Sequence, residues 1–265
     1  MTSQTLADHI AANGSDLAGL TGPASHPPED RISLRILGKF DLTVWPGRPI
    51  PLGTTSQRLL TLIALRSGGV PRAQAAGTLW PNNRSSRAAA NLRSVLWRLQ
   101  QTCGEVIDAS FHDLRLAPCV TVDIHRSTRV AYELLDPSVD MGPEALRQAM
   151  QTNFYDDVAP DTGDDEWLSA ERERFSQLRV HALESLASRL IKVGWHGPAI
   201  EAALGATRAD PFRESAYRLL VQAHLAEGSW FEARRQHNAY RELLRAELGL
   251  TPSDEFMALL ETSDT

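Results

Sequence analysis

No run of eighteen apolar residues occurs in the 265-residue sequence, so nothing in it reads as a membrane-spanning helix. Cysteine is scarce. Cys103 and Cys119 make neither a CxxC pair nor a metal-ligand spacing, and reduced cytosolic thiols are the expectation. Lysine is scarcer still relative to arginine, with Lys39 and Lys192 the only two among 27 basic residues. Basic residues and an apolar segment are both missing from the first thirty positions, which excludes a secretory signal there. Residues 1–30 are rich in Ser, Gly, Pro and Ala, and a disordered leader is expected.

The motifs of common enzyme chemistry are also missing. There is no GxxxxGK[ST], no GxGxxG after a strand, no HExxH and no GxSxG. The eight histidines are scattered; His224 and His237 fall in helical sequence, where structural roles are expected. The paired carboxylates Asp156–Asp157 and Asp164–Asp165 have no partner base in their acidic surroundings, and most carboxylates of residues 137–165 are expected to be solvated. A protein without catalytic residues, cofactor or metal is the expectation. No receiver domain precedes the basic block, and no ATPase or phosphopeptide-binding domain follows residue 265, so control by those routes is not expected.

What is present is an asymmetry hidden in the net charge of −6. Residues 31–122 carry 12 basic and 4 acidic side chains, whereas residues 123–265 carry 15 basic and 25 acidic ones. A basic block joined to an acidic block implies different partners for the two. The basic one suits a polyanion, because neutralised phosphates release counterions. The hydrophobic content of 42% is that of a globular protein long enough for one large or two ordinary domains.

In the basic block, "RISLRILGKFDLTV" alternates apolar and polar residues as half-buried strands do. Ile50 and Leu52 suggest a short third strand. The period then changes at "TTSQRLLTLIALRSGG", a helix that Thr54, Thr55 or Ser56 can cap and Gly68–Gly69 ends. Pro71 opens a short second helix that Pro81 terminates, and Ser85 or Ser86 can cap a third. "EVIDASFHDLRLAP" reads as two strands around a His112–Asp113 turn. Strands, three helices and a hairpin, in that order, predict a winged helix-turn-helix over 31–122.

On a helical wheel the third helix, roughly 85–101, gathers Ala89, Leu92, Val95, Leu96 and Leu99 on a core face. Arg87, Asn91, Ser94 and Arg98 align on the opposite side, and Arg93 and Trp97 lie toward one flank. From Arg84 to Thr102 there are four arginines and no carboxylate, unlike an ordinary solvated face. Arg forks to guanine and Asn to adenine, with Ser an adaptable partner, so that row is expected to face base edges. Arg84 and Arg93 are expected to hold phosphates, and Ala88 and Ala90 to leave room for a groove.

These residues resemble SARP-type transcriptional activators, the antibiotic-regulatory relatives of OmpR-type domains. Leu79–Trp80–Pro81, Asn91–Leu92–Arg93 and the Leu96–Leu99 pair match the family's pattern, and "LRLAPCVTVDIH" resembles its junction through Leu116, Val120, Val122 and Asp123. The hairpin tip departs from it: many relatives have Pro-Gly-Tyr where this chain has His112–Asp113–Leu114, an acidic tip that argues against a minor-groove contact.

The acidic block has almost no strand pattern and many helical ones, with an acidic, loop-containing connection over residues 137–165. Ala182/Ala216, Leu186/Leu220, Gly194/Gly228 and Ala199/Ala233 each recur 34 apart, the period of tetratricopeptide (TPR) repeats. Two units need flanking helices, which "VDIHRSTRVAYELL", "EWLSAERERF" and "SDEFMALLE" supply. The stretch from Asp210–Pro211 through Tyr240 to Glu247–Leu248–Gly249–Leu250 and Pro252–Ser253 closely resembles the bacterial transcriptional activator domain that follows SARP-type DNA-binding domains. The fold expected is mainly α with small β-sheets, a winged helix-turn-helix followed by a TPR-like helical domain over 123–265. The resemblance implies a cytoplasmic, nucleoid-associated activator of a secondary-metabolite gene cluster. Its implied partners are double-stranded promoter DNA, a second protomer on direct-repeat DNA, and RNA polymerase with its sigma factor. The rival reading is a non-enzymatic TPR-like interaction scaffold whose winged helix binds protein.

Overall fold

The computed structural model describes residues 32–66, 68–163 and 165–260; the expected leader lies outside them. Strand β1 (Ile32–Arg35) alternates as its sequence does, with Ile32 and Leu34 buried and Ser33 and Arg35 exposed. It pairs antiparallel with β2 (Asp41–Val44), setting Leu34 against Leu42. The third strand, β3 (Arg48–Pro49), lies earlier than Ile50 and Leu52. Ile50 still donates its N–H to the Leu42 carbonyl (2.8 Å) as its side chain turns into the core, and Pro51, with no N–H, cannot extend the ladder.

Helix α1 (Thr54–Ala64) buries Leu59, Leu60, Leu62 and Ile63. Its cap is Gly53, so Thr54, Thr55 and Ser56 lie in the first turn and do not cap it by side-chain hydrogen bonding. The two-residue strand β4 (Val70–Pro71) leads into α2 (Arg72–Leu79), which stops at Trp80 before Pro81. Helix α3 (Ser85–Cys103) follows after a turn, and the hairpin β5 (Ile107–Ala109) and β6 (Asp113–Leu116) comes next. β6 pairs with both β5 and β4, giving a small sheet of order β4-β6-β5 against the helices. β7 (Val120–Val122) then runs parallel to β1 and completes the other sheet, order β3-β2-β1-β7.

The chain leaves that sheet through Asp123, the first residue of α4 (Asp123–Leu135). Its carboxylate accepts the backbone N–H groups of Ile36 (3.0 Å) and Leu37 (2.9 Å), just beyond β1, and of Ile124 (2.8 Å). Burial raises its pKa above the ordinary carboxylate value, opposed by those three N–H groups and by Arg35. A second splint returns much later in the chain. Gly38 N–H donates to the Asp157 carbonyl (2.8 Å) and Ala159 N–H to that of Ile36 (2.7 Å). The acidic connection thus supplies an extra strand-like edge beside β1.

Two of its carboxylates are paired with arginines, Asp157 while its side chain stays largely exposed. Asp165 takes a two-pronged contact from Arg58 of α1 (2.9 and 2.8 Å), and Asp157 pairs with the buried Arg179 at 2.6 Å. A basic block and an acidic connection face each other here, and the low exposure of Arg179 explains why its charge needs a partner. The connection also contains helix α5 (Pro143–Met150), with Leu146 and Ala149 buried.

Helix α6 (Glu166–Lys192) links the two halves of the molecule. At about 1.5 Å per residue its 27 residues run roughly 40 Å. Leu168 and Phe175 belong to the core formed by β1, α1, α2 and α3. Further along, Ala182, Leu183, Leu186 and Leu190 belong to a second core with α4, α5, α7 (His196–Ala209) and α8 (Glu214–Glu227). The first core therefore does not end at residue 122.

The 34-residue period is visible in burial and backbone alike. Ala182 and Ala216, Leu186 and Leu220, Ala199 and Ala233 are all buried, and Gly194 and Gly228 both take positive φ, of 78° and 84°. Glycine fits there because each residue turns the chain out of one helix into the next. Helix α9 (Trp230–Leu248) closes the stack, and α10 (Asp254–Met257) presses Phe256 into a third core beneath Tyr240. His237 lies flat on Phe256 at 4.8 Å with its ring Nε2 3.2 Å from the Phe256 carbonyl oxygen, a structural role.

Two outcomes follow for stability. Asp123→Ala leaves the N–H groups of Ile36 and Leu37 without their acceptor and should cost about 1–3 kcal/mol in urea unfolding. Because burial raises the folded-state pKa of Asp123, its ionisation costs stability as pH rises from the free-carboxylate value through the raised one; the acid limb of the unfolding curve should lose that component in the variant. A double-mutant cycle on Arg58 and Asp165 should return a coupling of about 1 kcal/mol, reduced at high salt.

Candidate nucleic-acid interface

Helix α3 sits with Ala88, Leu92, Val95 and Leu99 in the core. Ala88 is 2% exposed, so it seats the helix and offers no room to a groove; Ala89 is only half-buried. The buried face runs along Ala88, Leu92, Val95 and Leu99, one residue to the side of the expected one, because that line packs on the core; α3 starts at Ser85 without a serine side-chain cap. The Arg84 carbonyl instead accepts the N–H groups of Arg87 and Ala88, both at 2.9 Å.

The row of polar residues remains on the outward side. Arg84, Arg87, Arg93, Ser94 and Arg98 are exposed and Asn91 is half-buried. They are not equivalent. Arg87 and Asn91 occupy the first two turns, the part of a recognition helix that reaches base edges in helix-turn-helix proteins. The Ser94 hydroxyl donates to the Ala90 carbonyl (3.1 Å), leaving only its acceptor capacity to a ligand. Arg98 lies back along the helix, its Nε donating to the Ser94 carbonyl (3.2 Å), and lines a shallow cleft with Pro51–Ser56 at the start of α1.

Arg93 faces the other way. With Trp97, Arg72 and the outer edge of β5 it lines a cleft of about 620 Å³ between α3 and the hairpin. Arg72 anchors that hairpin, its backbone N–H donating to the His112 carbonyl and its guanidinium to the Ser110 carbonyl, both at 2.9 Å. The hairpin tip is Ser110–Phe111–His112, two residues earlier than the expected His112–Asp113–Leu114. Asp113 is drawn into β6 opposite Pro71, its N–H donating to the Ser110 hydroxyl at 2.9 Å. The tip is thus aromatic rather than acidic, with Phe111 88% exposed. Sequence reasoning had placed Trp97 on a flank and passed over Arg72, whose only signal is its position at the first turn of α2.

The electrostatics of α3 are set by arginines with no carboxylate along the helix. Arg35, Arg58 and Arg66 of the same basic block pair with Asp41, Asp165 and Glu171. In contrast, Arg84, Arg87, Arg93 and Arg98 make no ion pair among the described residues. Four uncompensated guanidinium groups on one helix repel each other unless an anion comes to them. Among the described residues no group of histidine, cysteine and carboxylate side chains could hold a metal ion. Nor is any helix long and apolar enough to cross a membrane.

Comparison with known proteins identifies the second half. Residues 126–262, just over half of the chain, match the bacterial transcriptional activator domain. The chain belongs to that family. This activator-domain protein is also similar to the Regulatory protein AfsR of Streptomyces griseus, 26% identical over 258 residues that cover 90% of the chain and 26% of the relative. AfsR of Streptomyces coelicolor is 25% identical over 240 residues, 87% of the chain and 24% of the relative. The chain therefore spans about a quarter of the length of these curated relatives. Among solved structures, Mycobacterium tuberculosis EmbR, described in complex with a low affinity phosphopeptide, superposes with a TM-score of 0.69 at 20% identity. That likeness covers 87% of the chain and 64% of EmbR, and it concerns the fold. These matches place the protein with SARP-type transcription regulators, an activator family rather than an enzyme family.

The corrected wheel is checkable. Ala88→Gln should destabilise the protein by about 2 kcal/mol or more in chemical unfolding, since it forces a polar, larger side chain into the core. Ala90→Gln, at a half-buried position, should cost under about 1 kcal/mol.

Proposed function

We propose that the protein is a sequence-specific, double-stranded-DNA-binding transcriptional activator that acts through α3. The observation that carries this reading is the set of four exposed arginines, Arg84 at the cap of α3 and Arg87, Arg93 and Arg98 on it, along a helix that contains no carboxylate. In this reading Arg87 and Asn91 read base edges in the major groove, with Ser94 and Arg98 completing the row further along. Arg84 and Arg93 hold phosphates and set register. The N-terminal unit then acts as an OmpR-type winged helix, with its hairpin beside the same groove.

Membership of the activator-domain family supports the regulatory half of the proposal. The resemblance to SARP-type activators extends it: two protomers on short direct repeats beside a promoter, contact with RNA polymerase and its sigma factor, and control of a secondary-metabolite cluster. A cytoplasmic, nucleoid-associated location belongs to the same proposal.

The test is the salt dependence of binding to promoter DNA from neighbouring genes. Log K should fall with log salt at a slope of at least about −2 per protomer, from Arg84 and Arg93 alone. Arg87→Ala or Asn91→Ala should cost about 1–3 kcal/mol on the preferred site and flatten discrimination between sites. Arg84→Ala should weaken all sequences alike and make the slope shallower by about 1. Absence of DNA binding by the wild type at low salt would falsify the proposal in favour of a protein-binding scaffold.

A further inference from the structure

An apolar-floored hollow lies away from α3, where the end of α1 meets the seam between α4 and α6. It measures about 610 Å³, within the size range of small-molecule sites. Its floor is Ile124, Phe175 and Leu178, and Leu65 and Val139 close its two sides. Tyr132, 55% exposed on α4, stands over this floor with no core contact to account for it. Sites of this kind favour boundaries between structural units, and this one takes walls from both.

Charge narrows the occupant. Arg129 at the rim pairs with Glu133 at 3.2 Å. Glu171 pairs with Arg66 at 3.4 Å and with Arg174 at 3.7 Å. Asp136 is held by the N–H and hydroxyl of Ser138, which lower its pKa, with Arg189 close by. Each charged rim group is thus already compensated, and a charged ligand would have to displace an existing partner. The polar groups left at the wall are the Thr128 hydroxyl and the His125 ring, whose Nε2 lies 2.6 Å from the Ala64 carbonyl at the end of α1.

We propose that this hollow is a binding site for an uncharged, largely apolar aromatic small molecule carrying a hydrogen-bonding group. The molecule stacks between Tyr132 and Phe175 and clamps the end of α1 to α4 and α6. It thereby stiffens the junction between the α3-bearing unit and the repeat stack. The site needs no DNA, so its test is independent of the function proposed above.

The probe is Nile red, an uncharged polycyclic dye, titrated against the full chain and followed by its blue-shifted fluorescence. One saturable equivalent at micromolar affinity is expected, with a rise in the melting temperature of the protein. Thr128→Trp, which fills the hollow, should weaken binding at least tenfold. Tyr132→Ala, an exposed position that cannot unfold the protein by leaving a cavity, should weaken it several-fold. Phe231→Ala, on the exposed start of α9, should leave it unchanged. The anionic dye anilinonaphthalene sulfonate should bind more weakly than Nile red. The proposal is overturned if Nile red binding is not saturable, if Tyr132→Ala leaves it intact, if Phe231→Ala abolishes it, or if the anionic dye binds tighter.

Discussion

One carboxylate organises the molecule. Asp123 collects N–H groups from the chain just beyond β1 and from the first turn of its own helix, tying the start of α4 to the sheet. Without it, α4 would leave β7 at an angle set only by apolar contact. With it, Ile36 and Leu37 are held where the Asp157–Ala159 segment can lie alongside them. The ion pair from Arg58 to Asp165 then places the start of α6, and α6 carries the geometry onward into the stacked helices. The interaction is partly buried, which is why a charge at neutral pH is tolerated only with three donors aimed at it.

This arrangement gives the basic unit a rigid mount. Its first core includes Leu168 and Phe175 from α6, so α1, α2 and α3 rest on a helix that also serves the repeats. The face of α3 that carries Arg87 and Asn91 points outward, with Arg87 exposed and Asn91 half-buried. Charge is compensated where Arg58 meets Asp165 and Arg66 meets Glu171, whereas the arginines of α3 have no ion pair among the described residues. That division is the strongest physical statement the structure makes about function.

Much of this was legible in the sequence. Strand alternation, the recurrence of small residues every 34 positions and the carboxylate-free polar row on α3 are local patterns, and each appears in the structure as a burial pattern. The misses share a different cause. Ala88 rather than Ala89 is buried because α3 packs on the core along the Ala88–Leu92–Val95–Leu99 line, and a helical wheel does not show how a face meets its neighbours. The hairpin tip moved because Ser110 captures the Asp113 N–H. The bound carboxylates at 157 and 165 meet arginines that lie 22 and 107 positions away, and no window of sequence shows such a pairing. Contacts of particular side chains with their surroundings in the fold, not local propensity, decided these points.

The central claim is that α3 reads DNA, and the most direct measurement is genome-wide footprinting of the tagged protein beside its Asn91→Ala variant. The account predicts that the wild type protects a recurring short motif, present as spaced direct repeats near promoters, and that the variant loses that preference while keeping diffuse occupancy. Wild-type occupancy without any shared motif, or a variant pattern identical to the wild type, would contradict it.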